Sequence, residues 1–506
     1  MPGPSLSQRS TFWGLLVFGV ALRCVSIFEP LVDGHLLRQA QTAAATQSLA
    51  HQPGLPLSYN IPWIGDLDAH YVQEIPIYNY LVIGLYKVSG NLDAAGKLTS
   101  IGLWVISFIL LQRIWKRCLP EPAIFWANLL FVLSPQEIFY GQAFMPEMLV
   151  QVFSFGFLVA GLRYLEHASL GQWVLCVFAG LLAFLTKLPA TSHLLIPFAI
   201  LLYKREGNAA FSRVRYWITA ALAPVILIAW SHYVEHINNV SLPEWSPRNS
   251  LLNFIGTPSE RLNPKPWVVL GAYLVTLSVP GFAALFTAVG VWFSRRKQEF
   301  QFLHLWLASL LLFYVLWFGN TGAKQGYYNL VAIGPLSAFF GIGLASTLES
   351  DCFRAKRRLW SALAVALVVG SAIPGTLYLF KKDRVILTAA VWTRDHIPEK
   401  EVVLFRPNHR WDMVDYPYNA VFPYYSGHPT FVYTGQTSEH LKSLALERAH
   451  YAVVTFPPAA PDSWFWRVFQ RFRGTPLVTT DSLEWLSHAG FRPSYTGSNF
   501  AVYKRE

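Results

Sequence analysis

Apolar residues fall in long runs through residues 10–380, and polar residues collect between the runs. Runs near 10–28, 94–113, 121–140, 147–165, 172–188, 190–203, 214–235, 267–293, 302–319, 328–347 and 359–380 read as membrane spans. Crossing a bilayer as a helix takes about 20 residues. The pattern predicts a membrane all-α protein, a polytopic helical bundle of about eleven spans. No small-residue cleavage site follows the first run, so it reads as a retained helix rather than a removed leader. Residues 76–90 (PIYNYLVIGLYKVSG) are apolar but short and read as a helix lying in the interface. Beyond residue 380 the pattern changes. Helix-like segments (LTAAVWTRDHI, SEHLKSLALERAH, DSLEWLSHAG) alternate with strand-like ones (EVVLF, TFVY, YAVVTF, NFAVYK). Such alternation predicts a soluble α/β domain over 381–506, set beside a transmembrane domain over 1–380.

Composition agrees with the spans: 53% of the 506 residues are hydrophobic and only 14% are charged, against about 25% charged in a soluble domain. The net charge of +11 invites a nucleic-acid reading, but its distribution excludes one. Lys and Arg gather in short loops: Arg113/Lys116/Arg117, Lys204/Arg205/Arg213/Arg215, Arg295/Arg296/Lys297 and Arg354/Lys356/Arg357/Arg358. Basic loops between apolar spans mark the cytoplasmic face, where anionic lipid headgroups are their partners. With the N-terminus inside, loops 29–93, 237–266 and 320–327 face outward, and so does everything after 380. The four cysteines, Cys24, Cys118, Cys176 and Cys352, have neither a disulfide framework nor metal-ligand spacing.

Chemistry in such a chain concentrates in the outer loops. Residues 29–76 place Asp33, His35, Arg38 and Glu74 after the first span, and Glu147 follows Pro146 at the outer end of another. A carboxylate beside the bilayer can serve as general base toward a hydroxyl, with His35 and Arg38 as neighbours that hold Asp33 ionised. The same acids with His35 or His70 leave room for a divalent cation without requiring one, since no HxxxH or HExxH spacing is present. Lys187 ends a span in FLTKLPA, where an ionisable residue is either functional or snorkels to the interface. The loop NTGAKQGYYNL adds Lys324, Tyr327 and Tyr328: a cation for a phosphate and two rings for a sugar. Carboxylates and cations on one face suit transfer of a sugar from a lipid phosphate. That reaction needs a base for the attacking hydroxyl and positive charge for the leaving phosphate.

At these residues the chain resembles the integral-membrane glycosyltransferases of the GT-C superfamily. Within it the likeness is to bacterial polyprenyl-phosphate-sugar enzymes, including the lipid A aminoarabinose transferases and the protein O-mannosyltransferase-like group. The resemblance covers about residues 10–350. It rests on Asp33 in VDGHLLRQA, Glu74 in QEIPIYNYL, Glu147 in AFMPEML, Lys187 in the LTK turn, and the Tyr327–Tyr328 pair in GYYNL. Two positions depart from it. Gly34 stands where the first-loop motif often carries a second acid, and Ile75 where the aminoarabinose enzymes carry Lys. The resemblance implies an inverting glycosyltransferase of the bacterial inner membrane. It would take a polyprenyl-phosphate-linked sugar as donor and a lipid, glycan or protein as acceptor. It further implies Asp33, Glu74 and Glu147 as catalytic acids, with Arg38, His35, Lys187, Lys324, Tyr327 and Tyr328 binding substrate. The rival expectation is a transporter or flippase for a lipid-linked sugar, which tends to show internal repeats and polar groups at the membrane midplane. Here the polar groups lie at one face and no repeat is visible.

Overall fold

The computed structural model describes residues 6–187, 189–241, 255–319, 325–382, 384–407, 419–434, 437–456 and 483–506. The first half runs α1 (Leu6–Cys24), α2 (Leu36–His51), α3 (Ile77–Ser89), α4 (Leu92–Cys118), α5 (Glu121–Leu133), α6 (Pro135–Tyr140), α7 (Glu147–His167), α8 (Leu170–Thr186), α9 (Leu195–Glu206) and α10 (Val214–Ser241). After it come α11 (Phe282–Ser294), α12 (Gln301–Leu316), α13 (Ile333–Glu349) and α14 (Arg357–Leu379). Among the described residues, six helical segments are long and apolar enough to cross a membrane: Leu92–Cys118, Glu147–His167, Val214–Val240, Gln298–Leu316, Gly326–Glu349 and Arg357–Leu379. A seventh is Pro264–Ser278 joined to Phe282–Ser294 through a bend of 101°. The bend falls at Pro280, which has no N–H to continue the ladder, and at Gly281, with φ 49°. The expected run 121–140 is likewise divided, at Ser134–Pro135, into α5 and the short α6. Helices Ser10–Cys24 and Leu170–Thr186 are apolar but shorter than the span length.

The faces follow the surroundings. The apolar window of α10 is buried nowhere, and Trp217, Ile218, Leu222, Val225 and Ile228 are exposed along it. An apolar helix exposed all round belongs against lipid. By contrast α13 is packed on several sides. It meets α11 at two glycines: a Cβ on Gly290 would meet the Phe339 carbonyl oxygen, and one on Gly343 would meet that of Phe286. Small residues let helices in lipid approach through their backbones, where dispersion and weak polar contacts replace a hydrophobic driving force. Helix α3 buries only Tyr78, Val82 and Ile83, one stripe of an otherwise accessible surface.

The C-terminal region adds α15 (Val385–His396), α16 (Val421–Ser426), α17 (Glu439–Arg448) and α18 (Glu484–His488). Its strands are β4 (Val403–Arg406), β5 (Thr430–Val432), β6 (Tyr451–Thr455), β7 (Phe491–Thr496) and β8 (Phe500–Arg505). The central strands β5, β4 and β6 are parallel, and β8 and β7 continue the sheet antiparallel. The other edge is closed by β2 (Ile64–Gly65), which comes from the loop between α2 and α3 and pairs antiparallel with β5. Beside it, β1 (Tyr59–Asn60) and β3 (His70–Tyr71) form a small hairpin. One apolar cluster joins Leu37, Ala40 and Trp63 of the first loop to Val403, Phe405 and Val453 of the sheet. The region after 380 is therefore built together with the first loop.

The glycine contact makes a prediction. Gly343→Ala forces the Phe286 carbonyl aside and should destabilise the detergent-solubilised protein by about 1–3 kcal/mol, as overpacking does. Gly370→Ala, inside α14, meets no atom within 4 Å and should leave the thermal midpoint unchanged or raise it, since Ala is the better helix former. Equal midpoints for the two variants would contradict the close crossing of α11 and α13.

Candidate functional site

The site is assembled from the loop 29–35, the start of α2, the residues before α3, the start of α7, the end of α8 and the turn at 326–328. The loop 29–35 is held from several directions. Lys97 Nζ donates to the carbonyls of Ser26 and Glu29, both at 2.7 Å. Gly34 N donates to Leu379 O at 2.8 Å, and Leu31 N donates to the Tyr425 hydroxyl at 2.6 Å. Tyr424 and Tyr425 donate to the two carboxylate oxygens of Asp93, at 2.6 and 2.8 Å. The Glu29 carboxylate pairs with Lys382 at 3.0 Å and Arg384 at 3.5 Å. Most of these partners come from the end of α14 or beyond it.

Within that frame Asp33 is 5% exposed and accepts a hydrogen bond from Gln39 Nε2 at 2.7 Å. The other end of the Gln39 amide accepts from Phe144 N at 3.1 Å, so one side chain spans from Asp33 to the segment that leads into Glu147. Burial pushes the Asp33 carboxyl up to about 6, against the pull of Lys97 and the Gln39 hydrogen bond. This corrects the expected surroundings. Arg38 turns to Glu74 and His35 to aromatic rings, while Lys97, Gln39, the Asp33 backbone N–H and Lys382 act on the Asp33 carboxyl.

His35 takes the left-handed conformation (φ 55°) as the residue before α2. Its ring centroid lies 5.4 Å from that of Tyr327 and 5.7 Å from that of Tyr140. Arg38 and Glu74 form an ion pair, and so do Lys187 and Glu147. The Lys187 ammonium also lies 3.7 Å from the Tyr327 ring centroid and 4.6 Å from that of Tyr328. With both Lys187 and Glu147 about 5% exposed, the lysine does not snorkel. It is a buried cation satisfied by one carboxylate and two aromatic faces. The backbone delivers these groups. Ile75 N donates to Leu185 O at 3.4 Å, and the Asn238 amide exchanges two hydrogen bonds, both 2.9 Å, with the backbone of Val72. Tyr327 touches both His35 and Lys187, and so connects the Asp33 loop with the second ion pair.

Eight of the nine residues expected at the site thus gather around Tyr327 and the first loop: Asp33, His35, Arg38, Glu74, Glu147, Lys187, Tyr327 and Tyr328. Lys324 lies outside the described residues. Sequence reasoning missed Asp93, Lys97 and Gln39. Asp93 and Lys97 stand at the start of α4 with i, i+4 spacing, a signal that was available. Gln39 had none, because an amide in an amphipathic helix reads as surface. Among the described residues no three His, Cys, Asp or Glu side chains come together as a metal ion would need. Glu74 and Glu147 are each engaged by a cation through one carboxylate oxygen.

The same architecture occurs in solved structures. ArnT from Cupriavidus metallidurans, bound to undecaprenyl phosphate, superposes with a TM-score of 0.58 over 97% of this chain and 98% of its own, at 14% identity. The archaeal oligosaccharyltransferase AglB from Archaeoglobus fulgidus, in complex with an inhibitory peptide and a dolichol-phosphate, gives 0.56 over 99% and 75%, at 13% identity. The chain has the GT-C fold. At this identity the likeness concerns the fold. No family model and no curated protein sequence matches the chain.

Two outcomes follow from the charges. Lys187→Met strands a buried Glu147 and should cost about 3–5 kcal/mol, while Lys187→Met with Glu147→Gln should recover most of that. Additive losses in thermal unfolding would show that the two do not act as a pair. The raised Asp33 carboxyl binds its proton more tightly folded than unfolded. Its contribution to stability is present below about pH 4 and lost as pH rises through about 6. Asp33→Asn should remove that loss, seen as a flatter midpoint between pH 4 and 7.

Proposed function

We propose that the chain is an inverting glycosyltransferase that moves a sugar from a polyprenyl-phosphate donor to a lipid, glycan or protein acceptor on the outer face of a bacterial inner membrane. One observation supports this reading above the others. Of the three candidate acids, Glu74 and Glu147 are neutralised by cations, and Asp33 is the acid whose side-chain oxygen is met by an amide instead. A carboxylate with its pKa near 6 is suited to take a proton at neutral pH.

In this reading Asp33 accepts the proton of the acceptor hydroxyl as its oxygen bonds to the anomeric carbon. The bond from that carbon to the phosphate oxygen breaks on the opposite face, and the lipid phosphate leaves with the electron pair. Arg38 and Lys187 stabilise its charge. Arg38 has five N–H donors, more than Glu74 can occupy, so it can share its charge with a phosphate. Tyr327 and Tyr328 offer faces for the sugar, and His35 closes the space between them and the loop. The region 381–506 serves as an outer domain that holds the first loop in place. Support for the donor class comes from the fold neighbours, solved in complex with undecaprenyl phosphate or a dolichol-phosphate.

The test is sugar transfer by purified protein in detergent. Asp33→Asn should lower turnover by at least about 10²-fold. The wild-type rate should fall below about pH 6, because the base must be unprotonated, and the residual rate of the variant should not follow that limb. Near-wild-type turnover in Asp33→Asn would remove Asp33 from the chemistry. Separately, alkaline phosphatase fused after residue 384 should be active. An inactive fusion alongside an active cytoplasmic reporter at the same point would invert the topology.

A further inference from the structure

Beside the Lys187–Glu147 pair lies a cavity whose other polar side chains, Gln151, Ser154 and His193, have no part in the proposed chemistry. Glu147, Gln151 and Ser154 line it from α7, His193 from the turn after α8, and Tyr327 and Tyr328 from the opposite side. It has about 30 Å³ of room, enough for about two water molecules on a scale where one needs roughly 10–15 Å³. A whole sugar ring is far larger. One substituent on such a ring is the right size.

Three of the polar groups in the wall are acceptors. Gln151 Nε2 donates to Glu137 Oε1 at 2.8 Å, which fixes the orientation of the amide. Its Oε1 is buried and accepts no hydrogen bond among the described residues. His193 Nδ1 lies 2.8 Å from the carbonyl of Ala190, and a carbonyl requires an N–H there. The other ring nitrogen, Nε2, is then an acceptor. The Glu147 carboxylate adds a third acceptor. The Ser154 hydroxyl is already engaged with Thr191 at 2.9 Å. A buried amide oxygen without a donor costs about 1–3 kcal/mol, and a ligand that supplied the donor would recover that cost.

We propose that this cavity reads one hydrogen-bond-donating substituent, a hydroxyl or an ammonium, on the sugar being transferred, with Gln151 and His193 as the reading side chains. The inference rests on the glycosyltransferase reading, since the cavity opens beside the residues assigned there to the phosphate and the sugar. The chemistry of the walls explains the selection. A sugar that lacks the substituent gives the Gln151 oxygen and the His193 nitrogen no donor, and sites built to bond a substrate hydroxyl or N–H discriminate strongly. A bulkier apolar group has neither the room nor a partner.

The experiment uses the full-length protein in detergent and a series of undecaprenyl-phosphate sugars, each lacking one hydroxyl or carrying an amine in its place. In the wild type, one member of the series should lose at least about tenfold in kcat/KM. In Gln151→Met that disadvantage should shrink to about threefold or less, because the acceptor it answered is gone. Ala190→Val is an independent variant, since Ala190 lines the cavity and its two added methyl groups fill the space. It should lower kcat/KM for the fully substituted sugar and leave the deoxy member unchanged. An equal penalty in wild type, Gln151→Met and Ala190→Val, with transfer intact, overturns the cavity proposal alone and makes the space a site for structural water. Absence of transfer from every donor by the wild type overturns the glycosyltransferase reading and the proposal with it.

Discussion

A buried charge must meet an opposite charge or a set of fixed dipoles, and this requirement organises the structure. Removing an ion from water costs several kcal/mol even after relaxation. The chain meets that cost with two pairs, Arg38–Glu74 and Lys187–Glu147, and with the rings of Tyr327 and Tyr328 against the lysine. Each pair joins segments remote in sequence. The ion pairs therefore fix the relative positions of α2, the approach to α3, the start of α7 and the end of α8. A phosphate arriving at this cluster would enter a field already balanced, and would be held by sharing the cations with the carboxylates.

Asp33 is satisfied differently. Burial outweighs the Gln39 and backbone hydrogen bonds and the charges of Lys97 and Lys382, so its carboxyl keeps a raised proton affinity rather than being locked as an anion. That state depends on burial, and burial depends on residues far down the chain. Leu379 O, Tyr425 and the Lys382/Arg384 pair on Glu29 hold the loop in place. Tyr424 and Tyr425 are fastened in turn by Asp93. The sheet belongs to the same arrangement, because β2 of the first loop forms its edge. An unpaired strand edge invites association, and the first loop covers one here. Loosening the C-terminal region would thus expose both a sheet edge and the Asp33 loop.

Much of this was legible in the residues. Runs of apolar residues mark helices whatever they pack against, because backbone groups in lipid must be paired within the helix. EVVLF, TFVY, YAVVTF and NFAVYK are strands for a similarly local reason, the fit of β-branched and aromatic side chains to a pleated surface. Candidate chemistry was legible because an acid, an arginine or a lysine stands out in an apolar chain. Asp33, Glu74, Glu147 and Lys187 could be picked by type and by place between spans. The two-residue β2 carries no pattern of its own and becomes a strand only where β5 presents its edge. The strand β7, with Pro493 and a register shift before Tyr495, was hidden for the same reason.

By itself the sequence determined which segments are helical, where the basic loops fall between them, and which ionisable residues stand out in an apolar chain. Tertiary structure decided who partners whom. Arg38 was free to serve Asp33 or Glu74, and the fold gave it to Glu74. Asp33 received Gln39 and Lys97 instead, and Lys187 went inward to Glu147 rather than outward to the interface. The physical reason is range. Helix formation is settled by neighbours three and four residues away, whereas the state of a buried charge is set by whatever lies within a few ångströms in space. Those groups come from segments up to several hundred residues apart.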